Sequence, residues 1–213
     1  MQNGNGNGNH HQHEIFDAAS YYRLLAQATA ALSRPQVDQI ADTICDAHKA
    51  GRTFFLFGNG GSASLASHFA CDLGKGTSDP KSERRRLRVI ALTDNMPTIT
   101  ALANDLSYAD IFSEQLKNFV EPGDVALAIS CSGNSANVLK ALEVANAAGA
   151  TTIGLGGFQG GKMKDLCDIC LVVPSDNMQI IEDVHLSVAH AVFTIVKNRI
   201  CAAETKAERA ASY

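Results

Sequence analysis

Residues 54–73, FFLFGNGGSASLASHFACDL, constrain the fold of this chain more than any other segment. The apolar run at 54–57 is typical of a strand that is buried on both faces of a parallel sheet. The glycines after it allow a tight turn with accessible backbone N–H groups, and Ser62 is a suitable N-cap for a helix. Because a helix N-terminus carries free N–H groups and partial positive charge, this segment predicts a strand, an anion-binding turn and a helix.

A second segment repeats this order of features. The apolar run 125–129 precedes the loop SCSGNS at 130–135, and residues 136–148 have a helical pattern. Since ligands of open parallel sheets bind outside the carboxyl ends of the strands, the serine hydroxyls of this loop are placed to hold a phosphate. On the first helix, His68 and Asp72 lie one turn apart on the same face, which makes them a candidate functional pair.

Three further apolar runs, at 88–92, 151–155 and 169–173, bring the number of predicted strands to five. Helical patterns separate the strands and also precede the first and follow the last of them. The additional predicted helices cover residues 14–32, 37–50, 96–104, 109–120, 162–166 and 178–200. This alternation indicates an α/β fold with a doubly wound five-stranded parallel sheet, flanked by helices, with N-terminal helices and a long C-terminal helix.

Length and composition restrict the domain organisation and the partners. With 213 residues and 46% hydrophobic content, the chain is expected to form a single domain over residues 14–200. The Asn-Gly-rich segment 1–13 predicts a disordered tail, and residues 201–213 form a polar C-terminal tail. A net charge of −4 argues against nucleic acid as a partner. The chain has neither a membrane-length apolar run nor a signal peptide pattern, and its six cysteines fit reduced thiols in the cytoplasm.

Other motifs have more than one interpretation. The first glycine turn also fits the dinucleotide-binding pattern G-x-G-x-x-A, but no acidic residue follows at a strand end, as that pattern requires. Cys167 and Cys170 form a lone C-x-x-C pair, for which core packing is favoured over a zinc site that needs two more ligands. His185 and His190 share one helix but are five residues apart, about 140° around its axis, so we expect one functional and one structural histidine.

The motifs GNGGSASLASHFACDL, ISCSGNSANVLKAL, GGKM and IIEDVHLSVAH, in this order, resemble the sugar isomerase (SIS) domain family. Within that family they are most similar to the bacterial phosphoheptose isomerases, and the resemblance covers nearly the whole chain after the tail. It implies the SIS fold, which is flavodoxin-like. It also implies interconversion of sedoheptulose 7-phosphate and D-glycero-D-manno-heptose 7-phosphate through an enediol.

The resemblance also implies roles for individual residues. Substrate-binding positions match Asn59, Gly60, Gly61, Ser62, Asp72, Thr93, Asp94, Ser130, Cys131, Ser132, Ser135 and Glu182. Zinc ligands match His68, Asp72, Glu182 and His190, with one ion per subunit, and the base and acid match Asp72 and His190. The chain departs from the family pattern at three of these positions: Cys131 replaces threonine, Asp72 replaces glutamate and Glu182 replaces glutamine.

The resemblance further implies a homotetramer with active sites between subunits, so that helices of one subunit could supply ligands to another. Two alternatives to the heptose phosphate isomerase remain open. One is a non-catalytic SIS module that binds a sugar phosphate or a partner protein such as the bacterial replication initiator. The other is an isomerase of a different sugar phosphate, which the sequence does not distinguish from the first.

Overall fold

The computed structural model describes residues 15–78 and 85–211, with side chains described as far as residue 202. The predicted disordered tail, residues 1–13, lies outside the described residues. Five strands form one sheet in the order β2-β1-β3-β4-β5, and every neighbouring pair is parallel. They are β1 Thr53–Gly58, β2 Arg88–Ala91, β3 Val125–Ser130, β4 Thr151–Gly156 and β5 Ile169–Val172. The prediction of a five-stranded parallel sheet is therefore confirmed.

Helices cover both faces of this sheet because successive side chains of a strand point to opposite faces. Phe54 and Leu56 of β1 belong to the core formed with the first, second, third and last helices, whereas Phe55 and Phe57 belong to the core on the opposite face. The helices are α1 Ala18–Ala30, α2 Arg34–Ala50, α3 Gly61–Gly76, α4 Met96–Asp105, α5 Ser113–Phe119, α6 Ala136–Ala147, α7 Met163–Leu166 and α8 Met178–Ala211.

The helices differ from the prediction mainly at their ends. The single helix predicted over 109–120 is instead a 3-10 turn at Tyr108–Asp110 followed by α5, because Ser107 caps the first turn with a hydrogen bond to the N–H of Ala109. The helix α3 continues to Gly76, beyond residue 73, where the segment predicted as strand, turn and helix ends. The helix α8 continues to Ala211, beyond the predicted end at residue 200 and through most of the segment interpreted as a polar tail.

The strand order places a topological switch point between β1 and β3. The chain leaves β1 toward β2 on one side, and β3 then adds on the other side, with Gly58 opposite Ile129 in the register. In doubly wound sheets this switch point opens a crevice at the carboxyl ends of the strands, where ligands bind. Both predicted anion loops, after β1 and after β3, therefore lie at this crevice.

The long helix α8 is a core helix. Its segment Met178–Ala202 has the length and mean hydropathy of 1.2 that a membrane span could have. However, its apolar side chains pack into the core beneath the sheet, including Ile181, Val184, Val188 and Val192. This packing accounts for the apolar composition of α8.

Candidate active site

The turn between β1 and α3 brings backbone close to the crevice. Gly60, with φ of +55°, is the residue before the helix, so the N-cap assignment of Ser62 is wrong: Ser62 lies in the first turn and is buried. A Cβ atom on Gly58 would lie 2.7 Å from the carbonyl oxygen of Ile129, so a side chain there would push β3 away. The glycines thus let α3 begin directly beside the end of β3.

A pair of asparagine amides ties the two anion loops together. Asn59, in the first loop, donates to Oδ1 of Asn137 at 2.9 Å, and Asn137 donates back to Oδ1 of Asn59 at 2.8 Å. Tyr108 adds a hydrogen bond from its hydroxyl to Oδ1 of Asn59 at 3.0 Å. Because Asn137 is 1% exposed, this pairing holds the two loops in a fixed relative position. The sequence analysis did not single out Asn137 or Tyr108.

The serine loop, residues 130–135, packs against a second glycine-rich turn, residues 156–161. Gly133, with φ of +63°, packs so tightly that a Cβ atom would lie 2.0 Å from the carbonyl oxygen of Gly160. The N–H of Met163 donates to the carbonyl of Gly133 at 2.9 Å, and the N–H of Lys162 donates to Oδ1 of Asn134 at 3.1 Å. The segment after β4 and the start of α7 therefore position this loop from behind.

The hydroxyl groups of the serine loop are arranged differently from one another. Ser130 is buried, and its hydroxyl accepts from the N–H of Gly133 at 3.2 Å. Ser132 is exposed, and Ser135 is half-buried and precedes α6 without capping it through its side chain. The outer hydroxyls of Ser132 and Ser135, with the first N–H groups of α6, form the part of the loop that an anion can reach.

The first and second loops also meet at Ser62 and Cys131. Burial raises the pKa of the Cys131 thiol, the nearby charge of Glu182 raises it further, and a hydrogen bond with Ser62 opposes this shift. Cys131 is therefore a neutral thiol at neutral pH. A cavity of about 260 Å³ beside this contact is lined by residues from α3 and α8, among them Gly61, Ser62, His68 and Glu182.

Thr93 and Asp94 follow β2 and are fixed to α3 by Ser67. The hydroxyl of Ser67 lies 3.0 Å from that of Thr93 and makes a short hydrogen bond to the carboxylate of Asp94. Ser67 immediately precedes His68, so the predicted strand-tip contacts lie against the same helix as the predicted pair His68 and Asp72. Ser67 was not identified from the sequence.

Three side chains converge where α3 packs on α8. Nε2 of His68 lies 3.4 Å and Nε2 of His190 lies 3.9 Å from the same carboxylate oxygen of Asp72. The two imidazole rings meet edge to face, with centroids 5.1 Å apart. Within the described residues this is the one group of three or more such donors, all within 4.8 Å of one another, and its side chains are partly exposed.

The donor set of this trio fits a cation such as zinc. Two imidazole nitrogens and one carboxylate oxygen are common zinc ligands, and tetrahedral zinc separates its ligand atoms by about 3.4 Å. The observed distances to Asp72 are therefore close to those of a bound site. With three ligands from the protein, such a site would keep a position open for a further ligand.

Glu182 does not join this trio within the chain. Its carboxylate lies over Gly61, where an added Cβ atom would meet Oε1 at 3.0 Å. Glu182 precedes His190 on α8 by eight residues, a rise of about 12 Å, and it does not belong to the group of donor atoms that lie within 4.8 Å of one another. The structure instead places Glu182 at the N-terminus of α3, where the partial positive charge of the helix favours a carboxylate.

His185 is the second histidine of α8 and is fully buried. Its Nε2 atom lies 2.9 Å from the carbonyl oxygen of Gly156, and its Nδ1 atom has no hydrogen-bond partner among the described residues. Burial lowers the pKa of His185 to about 4, so the ring is neutral and Nε2 carries the proton that is donated to Gly156. The two histidines of α8 therefore lie in different environments, as the helical geometry required.

Comparison with known proteins identifies the family of this chain. A family model described as the SIS domain matches residues 18–157. This chain belongs to the SIS domain family. As in the sequence prediction, the two motif loops of this SIS domain lie at the switch point of a parallel sheet.

Relatives of this SIS domain include named enzymes. It is 40% identical over 183 residues to a probable phosphoheptose isomerase of Thermoplasma acidophilum, covering 86% of this chain and 99% of the relative. It is 41% identical over 167 residues to the phosphoheptose isomerase of Rhodospirillum rubrum, covering 78% and 87% of the two chains. The solved phosphoheptose isomerase of Francisella tularensis matches with a TM-score of 0.78 at 33% identity, covering 84% of this chain and 96% of that one.

Proposed function

We propose that this SIS domain is an aldose–ketose isomerase that converts sedoheptulose 7-phosphate into D-glycero-D-manno-heptose 7-phosphate. The observation that carries the proposal is the convergence of His68, Asp72 and His190 beside a cavity that is lined by Gly61 and Ser62 of the first anion-binding loop and by Ile129 near the end of β3. The names of relatives that align over most of the chain support this substrate class. Reduced cysteines also support a cytoplasmic location for the enzyme.

The phosphate group is assigned to the serine loop. Ser132 and Ser135 offer hydroxyl donors there, beside the N-terminus of α6. On α3, Gly61 in the first anion-binding loop and His68 of the trio are separated by a rise of about 10 Å. Binding energy at the phosphate end can then position the carbons that react at the other end.

The reacting carbons are assigned to the trio. Asp72 removes the proton from the carbon next to the ketose carbonyl, which gives the enediol, and returns it to the neighbouring carbon. His190 transfers a proton to and from the two sugar oxygens. Because the Nε2 atoms of both histidines approach the same carboxylate oxygen of Asp72, His68 helps to hold this carboxylate beside His190.

The same three residues would hold a zinc ion, with one ion per subunit. When bound there, zinc supplies a Lewis acid that polarises the carbonyl and hydroxyl oxygens of the sugar. Metal analysis of purified protein is expected to find about one zinc per subunit, and His68→Ala should lose most of it. Full isomerase activity in protein shown to be metal-free would contradict this assignment.

Glu182 is proposed to act in trans. We infer a homotetramer in which Glu182 of one subunit approaches the trio of another, because it does not reach the trio of its own chain. Mixed oligomers of Glu182→Ala and His190→Ala subunits should then regain part of the activity that each variant lacks. A tetramer that shows no such recovery would overturn the role in trans.

The proposed reaction is tested with purified protein and a panel of ketose phosphates that includes sedoheptulose 7-phosphate. We expect turnover of this heptulose and a lower kcat/KM for shorter sugars, since these span less of the distance between the serine loop and the trio. Turnover of only a shorter sugar would support an isomerase whose substrate differs from sedoheptulose 7-phosphate. Binding without turnover of any of them would favour the non-catalytic SIS module.

A further inference from the structure

Cys167 and Cys170 lie close together in the structure, and neither has a role in the proposed isomerase reaction. Cys167 follows α7, and Cys170 lies in β5 directly opposite Gly154 of β4. A Cβ atom on Gly154 would lie 3.0 Å from Sγ of Cys167 and 3.1 Å from Sγ of Cys170. The two sulfur atoms thus share the space that the missing side chain of Gly154 leaves free.

The backbone between the two cysteines is fixed. Asp168 accepts a hydrogen bond from the N–H of Thr152 at 2.8 Å, and the N–H of Asp168 donates to the hydroxyl of Thr152 at 3.1 Å. Both cysteine residues are half-buried, so the segment that carries them is partly open to solvent. The described residues contain no group of donors that would complete a metal site around them.

The two thiols also differ in acidity. A hydrogen bond from Cys167 lowers the pKa of the Cys170 thiol, and the same contact raises the pKa of Cys167. Lys164, one turn earlier on α7, adds a positive charge that lowers the pKa of Cys170 further. This asymmetry gives Cys170 the character of an attacking thiolate and Cys167 that of a resolving thiol.

We propose that Cys167 and Cys170 form a reversible disulfide with a low-molecular-weight disulfide as oxidant, and that this oxidation weakens phosphate binding at the serine loop. In the first step, the Cys170 thiolate attacks one sulfur of the oxidant and releases a thiolate. Cys167 then loses its proton and attacks the sulfur of Cys170, which releases a second thiol. Two protein thiols are oxidised, and one small disulfide is reduced to two thiols.

A short path links this pair to the serine loop. The N–H of Cys167 donates to the carbonyl of Met163 at 3.2 Å, and the N–H of Met163 donates to the carbonyl of Gly133 at 2.9 Å. Met163 also contacts the space around Gly154 and Gly156 through its terminal methyl group. Because α7 is a single turn, a disulfide at its end changes the position of its first residues, which hold the loop.

The thiol chemistry is tested without reference to activity. The full-length protein is equilibrated in buffers of reduced and oxidised glutathione, blocked with an alkylating agent and digested with trypsin. The peptide 165–197 contains Cys167 and Cys170 and no other cysteine. We expect this peptide to lose two hydrogen atoms in oxidising buffer and to regain them in reducing buffer.

Matched variants test the order of the steps. Cys167→Ser should stop at a mixed disulfide between glutathione and Cys170, whereas Cys170→Ser should leave Cys167 largely as a thiol. A peptide that remains a dithiol in every buffer would overturn the proposal, as would pairing of either cysteine with one elsewhere in the chain.

The effect on the serine loop rests on the proposed isomerase function and is measured separately. Oxidised protein should show a KM for the sugar phosphate at least about fivefold higher than reduced protein, with a smaller change in kcat. The double variant Cys167→Ser, Cys170→Ser should have the same KM in both buffers. A disulfide that forms without changing KM would overturn the link to the serine loop. If the protein has no isomerase activity, the mass measurement still tests whether Cys167 and Cys170 form a disulfide.

Discussion

Asp72 is the residue on which the proposed chemistry depends most, since its carboxylate faces both His68 and His190. Asp72→Asn keeps the shape of the side chain but removes the base. We expect its kcat to fall by about 10²–10⁴-fold. Steady-state kinetics with the same substrate, on protein with an unchanged melting temperature, measure this loss. Turnover equal to that of the wild type would transfer the role of base to His190 or Glu182.

Asp72→Glu provides the matched control at the same position. It restores the side-chain length of the family pattern and keeps the charge, so activity should be retained if α3 and α8 have room for one more methylene. The gap of 3.4–3.9 Å to the histidine nitrogens makes this possible only with a small movement of the rings. A loss as large as that of the asparagine variant would mean that the trio is fitted to the shorter acid.

At the scale of the helices and strands, the serine loop is expected to determine substrate affinity. Ser132→Ala and Ser135→Ala each remove a hydroxyl donor to a charged phosphate, an interaction worth about 1.5–3 kcal/mol. Each variant should therefore show a KM that is roughly 10- to 100-fold higher, with a smaller effect on kcat. Ser130→Ala is the contrasting variant, because Ser130 is buried, whereas Ser132 is exposed and Ser135 is half-buried. An unchanged KM in both outer variants would remove this loop from the phosphate site.

The close approach of Gly133 in the serine loop to Gly160 leads to a second prediction at the scale of helices and strands. Gly133→Ala places a Cβ atom 2.0 Å from the carbonyl of Gly160, so the loop must shift. Gly149→Ala also introduces a side chain at positive φ, +77°, but its nearest neighbour is a Pro122 side-chain atom at 3.7 Å. Both variants should lose about 1 kcal/mol of stability to backbone strain, and Gly133→Ala should lose more and also lose phosphate binding. Thermal unfolding with and without the sugar phosphate compares them, and equal behaviour of the two would contradict the role of this close approach.

The sequence predicted the strands well because each is an apolar run bounded by polar or glycine-rich segments. It also predicted His68 and Asp72 as a pair, since helical spacing alone places them on one face. The position of Glu182 was not predictable, because it depends on how α8 packs against α3. The asparagine pair was missed for the same reason: Asn137 has the sequence context of an ordinary helix residue, and its partner Asn59 is 78 positions away. The split of the helix at 109–120 depended on a local cap that competes with the helical pattern.

At the scale of the whole molecule, the burial of His185 in the core makes the free energy of unfolding depend on pH in the acidic range. The neutral ring is buried, with its Nε2 atom bonded to Gly156, whereas in the unfolded chain the pKa returns to about 6.5. Between these two pKa values the unfolded state binds more protons than the folded state. The free energy of unfolding therefore rises with pH through this window and falls as the pH is lowered from about 6.5 to about 4.

His185→Gln tests this contribution, because glutamine keeps an N–H donor at a similar distance from the backbone but does not titrate in this range. Denaturant unfolding of both proteins is measured at fixed protein concentration between pH 7 and pH 4. Relative to the glutamine variant, the wild type should lose up to about 3 kcal/mol over this interval, since one pKa unit corresponds to about 1.4 kcal/mol. The comparison removes the contribution of the carboxylates, which titrate in both proteins. Parallel stability profiles for the two proteins would mean that His185 is charged in the folded state or that the core opens to water around it.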